Sequence, residues 1–366
     1  MKVGVLTSSR ADYGIYLPLL ERLKTDPLFD LEIIAFGTHL SKSHGYTIDT
    51  IKKDGFITIH EIDNLISDDS PKGIALSYGK TVSLFAEFWD QNAFELVFCL
   101  GDRFEMSAAV QASIPFGIKL VHLHGGETTL GAIDNTYRHQ ISLASSLHFT
   151  ATEEFKTKLK SLLGDSNNIF NVGALSLDGI ESFNPREKDE LYDEFQIPHK
   201  PFALVTFHPE TVAVESNLAY ASEMKIALSV LAEDINIVIT MPNADTLGSV
   251  FRQEINNLKA QKPEQIILVE NFGKRNYFSA MSYARVLIGN TSSGIIEAAS
   301  FGKYVVNVGD RQKGRARGEN VFDVTFDSNA IITQTKALLK LQEYKGENIY
   351  YKIGTADQII KIIKTL

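Results

Sequence analysis

The chain alternates, almost from end to end, between short β-rich apolar runs and longer stretches with helical spacing of apolar residues. Strands separated by helix-length segments cannot pair as hairpins, so the pattern calls for βαβ units around parallel sheets. In the first half the expected strands are 3–7, 31–36, 56–60, 96–100, 119–122 and 147–150, with helices over 16–24, 74–89, 104–113 and 137–145. A second series of strands is expected at 202–207, 235–240, 265–269, 286–289 and 304–308. The spacing predicts an α/β protein of two doubly wound halves. A length of 366 residues agrees, because a single core rarely serves much more than about 250–300.

Between the halves, residues 181–200 carry six acids against two Lys/Arg before His199 and Lys200, with Pro185 and Pro198 inside the stretch and Pro201 just after it. This places a linker at 181–200, with a short helix over 186–195 left open inside it, between a first domain over 1–180 and a second over 201–350. The segment 351–366 reads as a final helix with apolar Ile359, Ile360, Ile362 and Ile363, able to pack on either half.

Composition narrows the class. The chain is 44% hydrophobic and 22% charged, which excludes disorder, and its net charge of −9 argues against a nonspecific nucleic-acid or anionic-membrane partner. The polar run 7–10 follows the first strand too soon for a signal peptide, and no apolar run approaches about 18 residues, so no membrane span and a cytoplasmic setting are expected. Cys99, the one cysteine, sits in an apolar run and reads as a small buried hydrophobe. Locally the balance reverses: residues 271–318 hold eight Lys/Arg against Glu297 and Asp310, a surplus of six positive charges.

In open parallel sheets, ligands bind beyond the carboxyl ends of the strands. After the first strand comes 7-TSSRADYG-14, where Arg10 and loop amides form an anion grip or Arg10 is a solvated residue of a βα turn. After residues 96–100 comes 101-GDRFE-105, where Asp102 is either a helix N-cap or a catalytic carboxylate. The next strand ends in 122-HLHGGE-127, followed by 131-GAID-134 and by Arg138 and His139 in a helix. His124, Glu127, Asp134 and His139 thus cluster around a glycine-rich turn, a density that suits general acid/base chemistry. His122 and His124 alternate onto one face, but no metal-binding spacing such as HExxH and no second thiolate accompany them, so no metal is expected. His148, inside an apolar strand, reads as a satisfied sheet histidine.

In the second half, residues 202–207 end in His208, placed to donate to a phosphate. The run 289-GNTSSGIIE-297 turns from a strand into a helix, where Ser292 or Ser293 is a plain N-cap or Ser292, Ser293 and Gly294 form a phosphate seat by geometry and helix dipole, with Glu297 one turn on to accept a pair of ribose hydroxyls. The loop 309-GDRQKGRARG-318 puts four cations after a strand tip, and Arg311 and Arg315 are its candidates for substrate or pyrophosphate. Neither GxxxxGK[ST] nor a GxGxxG after the first strand is present, which demotes P-loop NTPases and ordinary dinucleotide dehydrogenases.

Taken together and in this order, SSRADYG, GDRFE, HLHGGE, GAID, RH, FHPET, GNTSSG and GDRQKGR resemble the hydrolysing UDP-N-acetylglucosamine 2-epimerases of sialic-acid and legionaminic-acid biosynthesis, over residues 1–318. The resemblance implies a GT-B-like fold of two Rossmann-like domains with the active site in the interdomain cleft, in a homo-oligomer (dimer or tetramer), without a cofactor. It implies conversion of UDP-GlcNAc and water to N-acetylmannosamine and UDP, through elimination to 2-acetamidoglucal and hydration. The alternative within the family is a UDP-N,N'-diacetylbacillosamine 2-epimerase. A GT-B glycosyltransferase would have less need of Asp102, Glu127 and Asp134, and a non-catalytic UDP-sugar sensor would not need to retain them.

Carried over by position, Asp102 and Asp134 match family catalytic carboxylates, while Arg10, His208, Ser292, Ser293 and Glu297 match positions that contact phosphate or ribose. Relatives carry Glu where this chain has His124, and Glu127 lies three residues further on. Either His124 takes the missing role, or Glu127 moves in, or the substrate differs.

Overall fold

The computed structural model describes every residue except 43–44, 67, 69, 165–166, 211–213, 242–247 and 366. Thr211, the last residue of the FHPET motif, lies outside the described residues. The chain forms two compact units, the first of Met1–Glu127, Asp134–Gly179 and Tyr350–Leu366, the second of Thr128–Ile133 and Ile180–Ile349.

In the first unit, seven strands form one parallel sheet: β1 (Lys2–Thr7), β2 (Asp30–Phe36), β3 (Thr58–Ile62), β4 (Leu96–Leu100), β5 (Leu120–Leu123), β6 (Leu147–Thr150) and β7 (Ile169–Asn171), in the order β3-β2-β1-β4-β5-β6-β7. Period-two alternation sends Val3, Val5, Phe98 and Val121 to one face, where Leu19, Leu20 and Leu23 cover them. It sends Leu6, Val97 and Cys99 to the other, against Phe85, Trp89, Met106 and Val110. Buried on both faces, such strands read as continuous apolar runs. Cys99 is fully buried, and burial pushes its thiol up to about 12, as suits an inert core residue.

The second unit repeats the plan with six parallel strands: β8 (Phe202–Thr206), β9 (Asn236–Thr240), β10 (Ile266–Val269), β11 (Val286–Gly289), β12 (Val305–Val308) and β13 (Val321–Val324), in the order β10-β9-β8-β11-β12-β13. Each sheet reverses its strand order once, between β1 and β4 and between β8 and β11. Those are the switch points at which ligands bind in doubly wound sheets. The fold is the expected pair of Rossmann-like halves.

Several boundaries differ from expectation. The edge strands β7 and β13 were not foreseen, being three and four residues long without a clear apolar pattern. The helix α1 (Arg10–Thr25) begins six residues before the expected 16–24, because Ser9 caps it and Asp12 returns the bond in a capping box. Residues 181–200 are not a linker: the helix α7 (Lys188–Glu194) lies within the second unit and buries Leu191, Tyr192 and, just beyond it, Ile197 in that unit's core. Its acids are the solvated side of an amphipathic turn. The closing helix α13 (Thr355–Ile363) belongs to the first unit, so the expected contiguous domains over 1–180 and 201–350 are instead interleaved. Ile359 and Ile363 join the first core, Thr355 Oγ1 donates to the Val172 carbonyl at 2.8 Å, and Arg22 Nε donates to Asp357 at 3.0 Å.

Among the described residues no helix is long and apolar enough to cross a membrane. Ile359→Ala should cost about 2–5 kcal/mol in urea unfolding through lost burial and the cavity left behind. Ile353→Ala, at a position 70% exposed, should change stability by less than about 0.5 kcal/mol. Equal effects at the two sites would place α13 outside the core.

Candidate functional site

The first set of site residues stands at the tips of β1, β4 and β5, and a buried guanidinium organises it. Arg138, on the helix α5 (Asp134–Ala144), is 2% exposed. Its Nη2 donates to Asp102 Oδ2, its Nη1 donates to the His124 carbonyl at 2.7 Å, and Nη1 lies 3.8 Å from Glu127 Oε2. Asp102 is therefore not the cap of the following helix α4 (Phe104–Ser113); Arg103 occupies that position, without a capping side chain. A buried guanidinium is tolerated only with paired anions, which explains two carboxylates gathered on one cation.

His124 has φ +64, a left-handed backbone that a non-glycine residue adopts at a cost of order 1–3 kcal/mol. Its amide donates to the Phe149 carbonyl at 2.9 Å, and its Nδ1 is 2.6 Å from Glu127 Oε1. The turn needs glycine at 126, where φ is +78 and a Cβ would collide with the Phe155 carbonyl. Among the cluster's acids, Glu127 is buried and Asp134 half-buried at the first turn of α5. His139, half-buried one residue after Arg138, faces Asn135 at 3.3 Å; burial, and then Arg138, hold its pKa low. His122 differs from His124: its Nδ1 meets Ser142 Oγ at 3.0 Å and its Nε2 the Gly101 carbonyl oxygen at 2.9 Å. Both of its ring nitrogens are thus engaged, one by α5 and one by the turn after β4, and burial pushes its pKa well down.

Arg10 is exposed at the first position of α1. The loop amides expected to help it are taken, since Asp12 accepts from Ser8 N at 2.8 Å and Ser9 N at 2.9 Å, as well as from the Ser8 and Thr7 hydroxyls. An anion there would meet Arg10 rather than a ring of amides.

The second set follows β8, β11 and β12. Asn290, fully buried after β11, accepts from His208 N at 2.7 Å and donates to the His208 carbonyl at 2.8 Å. Its own carbonyl accepts from Arg311 Nη1 at 3.2 Å and Gln312 Nε2 at 3.0 Å. Glu210 Oε1 accepts from the amides of Asp310 at 2.6 Å and Arg311 at 3.2 Å, fixing the start of the basic loop. Burial outweighs those bonds and raises the Glu210 pKa. Gly289 has φ +141 against the Thr206 carbonyl, an approach closed to any side chain.

The helix α11 (Ser292–Ile296) has only five residues and ends at Glu297, so its dipole is smaller than the expected phosphate seat implied. Thr291 rather than Ser292 or Ser293 is its N-cap, and the Ser293 hydroxyl lies 2.7 Å from that of Tyr277. Gly294 is buried in the same turn, and Glu297 is 7% exposed. Of the four loop cations, Lys313 pairs with Asp310 at 3.1 Å and Arg317 with Asp323 at 2.7 Å, whereas Arg311 and Arg315 are half-buried. The segment Thr128–Ile133 joins this unit through Leu130 N–H donating to the Lys313 carbonyl at 2.8 Å.

Both the sequence and the fold match known proteins. The profile of the UDP-N-acetylglucosamine 2-epimerase family matches residues 21–364. The chain belongs to that family. It is 33% identical over 369 residues to the polysialic acid biosynthesis protein P7 of Escherichia coli, covering 99% of this chain and 93% of that one. It is 34% identical over 367 residues to a hydrolysing UDP-N,N'-diacetylbacillosamine 2-epimerase of Legionella pneumophila, covering 100% and 96%. The fold superimposes with a TM-score of 0.85 on a Neisseria meningitidis UDP-GlcNAc 2-epimerase bound to UDP-GlcNAc, at 17% identity and full coverage of both chains.

Within this epimerase-family fold, Arg138, Asn290 and Glu210 were not foreseen as site residues. A signal existed for Arg138: it stands on the stripe of Ile141 and Ser142, a cation where helical spacing puts buried residues. Asn290 and Glu210 act through backbone groups distant in sequence, for which no local pattern exists. His148, 2% exposed, is held down to about 4 by burial. His122 and His148 are neutral in the fold and protonate near pH 6.5 when unfolded, so the stability they contribute is present above that pH and is lost as pH falls toward 4. Urea unfolding at pH 7 and 4.5 should show a smaller acid loss for His148→Gln than for the unmodified chain; equal losses would remove His148 from the acid response.

Proposed function

We propose that this chain is a hydrolysing UDP-N-acetylglucosamine 2-epimerase, converting UDP-GlcNAc and water to N-acetylmannosamine and UDP. The observation that carries the reading is the cluster of Asp102, His124, Glu127 and Arg138 at the strand tips of a chain from the epimerase family. The C2–H beside an anomeric carbon is weakly acidic, so its removal needs a base held within hydrogen-bond reach. As that proton leaves, the C1–O bond to UDP breaks and a 2-acetamidoglucal forms; water then adds at C1 and a proton returns to C2 from the opposite face. We assign the proton transfers to groups among Asp102, His124, Glu127 and Asp134.

The leaving diphosphate develops negative charge that positive groups must meet. We assign that role to Arg10, His208, Arg311 and Arg315, with the turn at Ser292, Ser293 and Gly294, and the ribose hydroxyls to Glu297. We add His139 as a candidate for binding the sugar. These cations supply the charge that a metal would otherwise bring, so the proposed reaction uses none. A second reading, with UDP-N,N'-diacetylbacillosamine as substrate, is favoured by the name of the Legionella relative at 34% identity.

Incubating the protein with each sugar nucleotide in D2O separates the readings by proton NMR. UDP release with C2-deuterated N-acetylmannosamine from UDP-GlcNAc is expected. Accumulation of UDP-ManNAc would assign the non-hydrolysing reaction instead, turnover of the diacetamido sugar alone would select the second reading, and inertness toward both would sink the proposal. Asp102→Asn and Asp134→Asn should each lower kcat by roughly 10²–10⁴-fold if they move a proton, and EDTA should leave the rate unchanged.

A further inference from the structure

We infer that His124 is the proton acceptor of this reaction at its Nε2 atom, with Glu127 as the positioning residue that fixes its tautomer and balances its charge. The inference rests on the epimerase reading above and names the group that reading leaves open. Three observations point the same way. First, Nδ1 is 2.6 Å from Glu127 Oε1, whereas buried Nε2 has no hydrogen-bond partner among the described residues. An orphaned buried ring nitrogen is uncommon, because leaving it unpaired costs the desolvation of that atom. Second, the backbone at His124 holds φ +64 and is tied on both sides, by Phe149 through its amide and by Arg138 through its carbonyl. Strain maintained by this many anchors is characteristic of a group whose placement matters more than its stability. Third, the adjoining charges come to one cation, Arg138, and two anions, Asp102 and Glu127. A proton captured by the imidazole brings that cluster to neutrality.

A carboxylate beside a permanent guanidinium is an acceptor only, so the bond at Nδ1 requires the proton on Nδ1 and leaves the lone pair on Nε2. That lone pair takes a proton either from C2, whose C–H electron pair becomes the C1=C2 bond as UDP departs with the C1–O pair, or from the water whose oxygen bonds to C1 of the glucal while C2 is protonated by another group. The imidazolium then returns its proton to solvent. The titratable and charged groups around the ring are Glu127 in its own turn, Arg138 from α5, Asp102 beyond Arg138, and neutral His122 on β5.

The test uses His124→Asn, which keeps an amide near the position of Nδ1 and removes Nε2, and Glu127→Gln, which keeps an acceptor for Nδ1–H and removes the charge. Circular dichroism checks that both fold. For His124→Asn, kcat should fall by roughly 10²–10⁴-fold with KM little changed. A larger isotope effect with 2-deutero UDP-GlcNAc assigns the C2 proton, and accumulation of 2-acetamidoglucal assigns the water. Glu127→Gln should move the acidic limb of the kcat profile to lower pH, since loss of the carboxylate lowers the imidazole pKa. A kcat for His124→Asn within twofold of the unmodified enzyme, a rise in KM alone, or an unmoved acidic limb in Glu127→Gln would overturn the assignment while leaving the epimerase reading intact. An unmodified enzyme inert on both sugar nucleotides removes the epimerase reading itself. Independently of turnover, nitrogen-15 NMR of labelled histidines, with His124 assigned by its loss in His124→Asn, should show the Nδ1–H tautomer; an Nε2–H tautomer overturns the proposal.

Discussion

The buried charge of Arg138 is the constraint around which the first set of site residues is arranged. A guanidinium cannot shed its proton, so a helix that brings one into the interior obliges the sheet to present anions and carbonyls in return. The strand tips at β4 and β5 do so with Asp102, Glu127 and the His124 carbonyl. One cation thereby sets the position of a carboxylate, of a second carboxylate that grips an imidazole, and of the strained backbone carrying that imidazole. Substituting Arg138 would remove the cation that both carboxylates share.

The second unit solves a different problem by different means. Around β8, β11 and β12 its loops are anchored by a side-chain amide and by backbone amides as well as by salt bridges. Asn290 does the anchoring without charge, using its side-chain amide for His208 and its carbonyl for Arg311 and Gln312. The carboxylate of Glu210 spends its bonds on backbone amides rather than on guanidinium groups. Arg311 thus keeps most of its donors, while Lys313 and Arg317, which do pair with acids, serve the loop's shape.

Much of this was legible from residue order alone, for a physical reason: parallel strands buried on both faces leave long apolar runs, and their tips leave short polar ones. Asp102, His124, Glu127, His208 and the turn at 289–294 all lie at such tips, and Asp134 opens the helix that follows one of them. What could not be read depended on partners far away in sequence. Asp12 looked like part of a loop until its capping role absorbed the amides that Arg10 was expected to share. The acids of 181–200 suggested a linker because composition hides the buried Leu191 and Tyr192 between them. His124 and Glu127, alternatives for one role when read along the chain, are hydrogen-bond partners in the fold.

The interleaving of the two units has a consequence for the order of synthesis. A chain emerging from a ribosome N-terminus first exposes the whole of β1 to β7 early, yet Ile359, Ile360 and Ile363, which join that unit's core, follow the whole of the second unit. Until they are made, Leu19, Leu20 and Leu23 lack part of their apolar cover, whereas the second unit runs no further than Ile349. The half that carries the acids is thus the half that must wait, and the nascent chain has a stretch of apolar surface to protect for the duration of making the other.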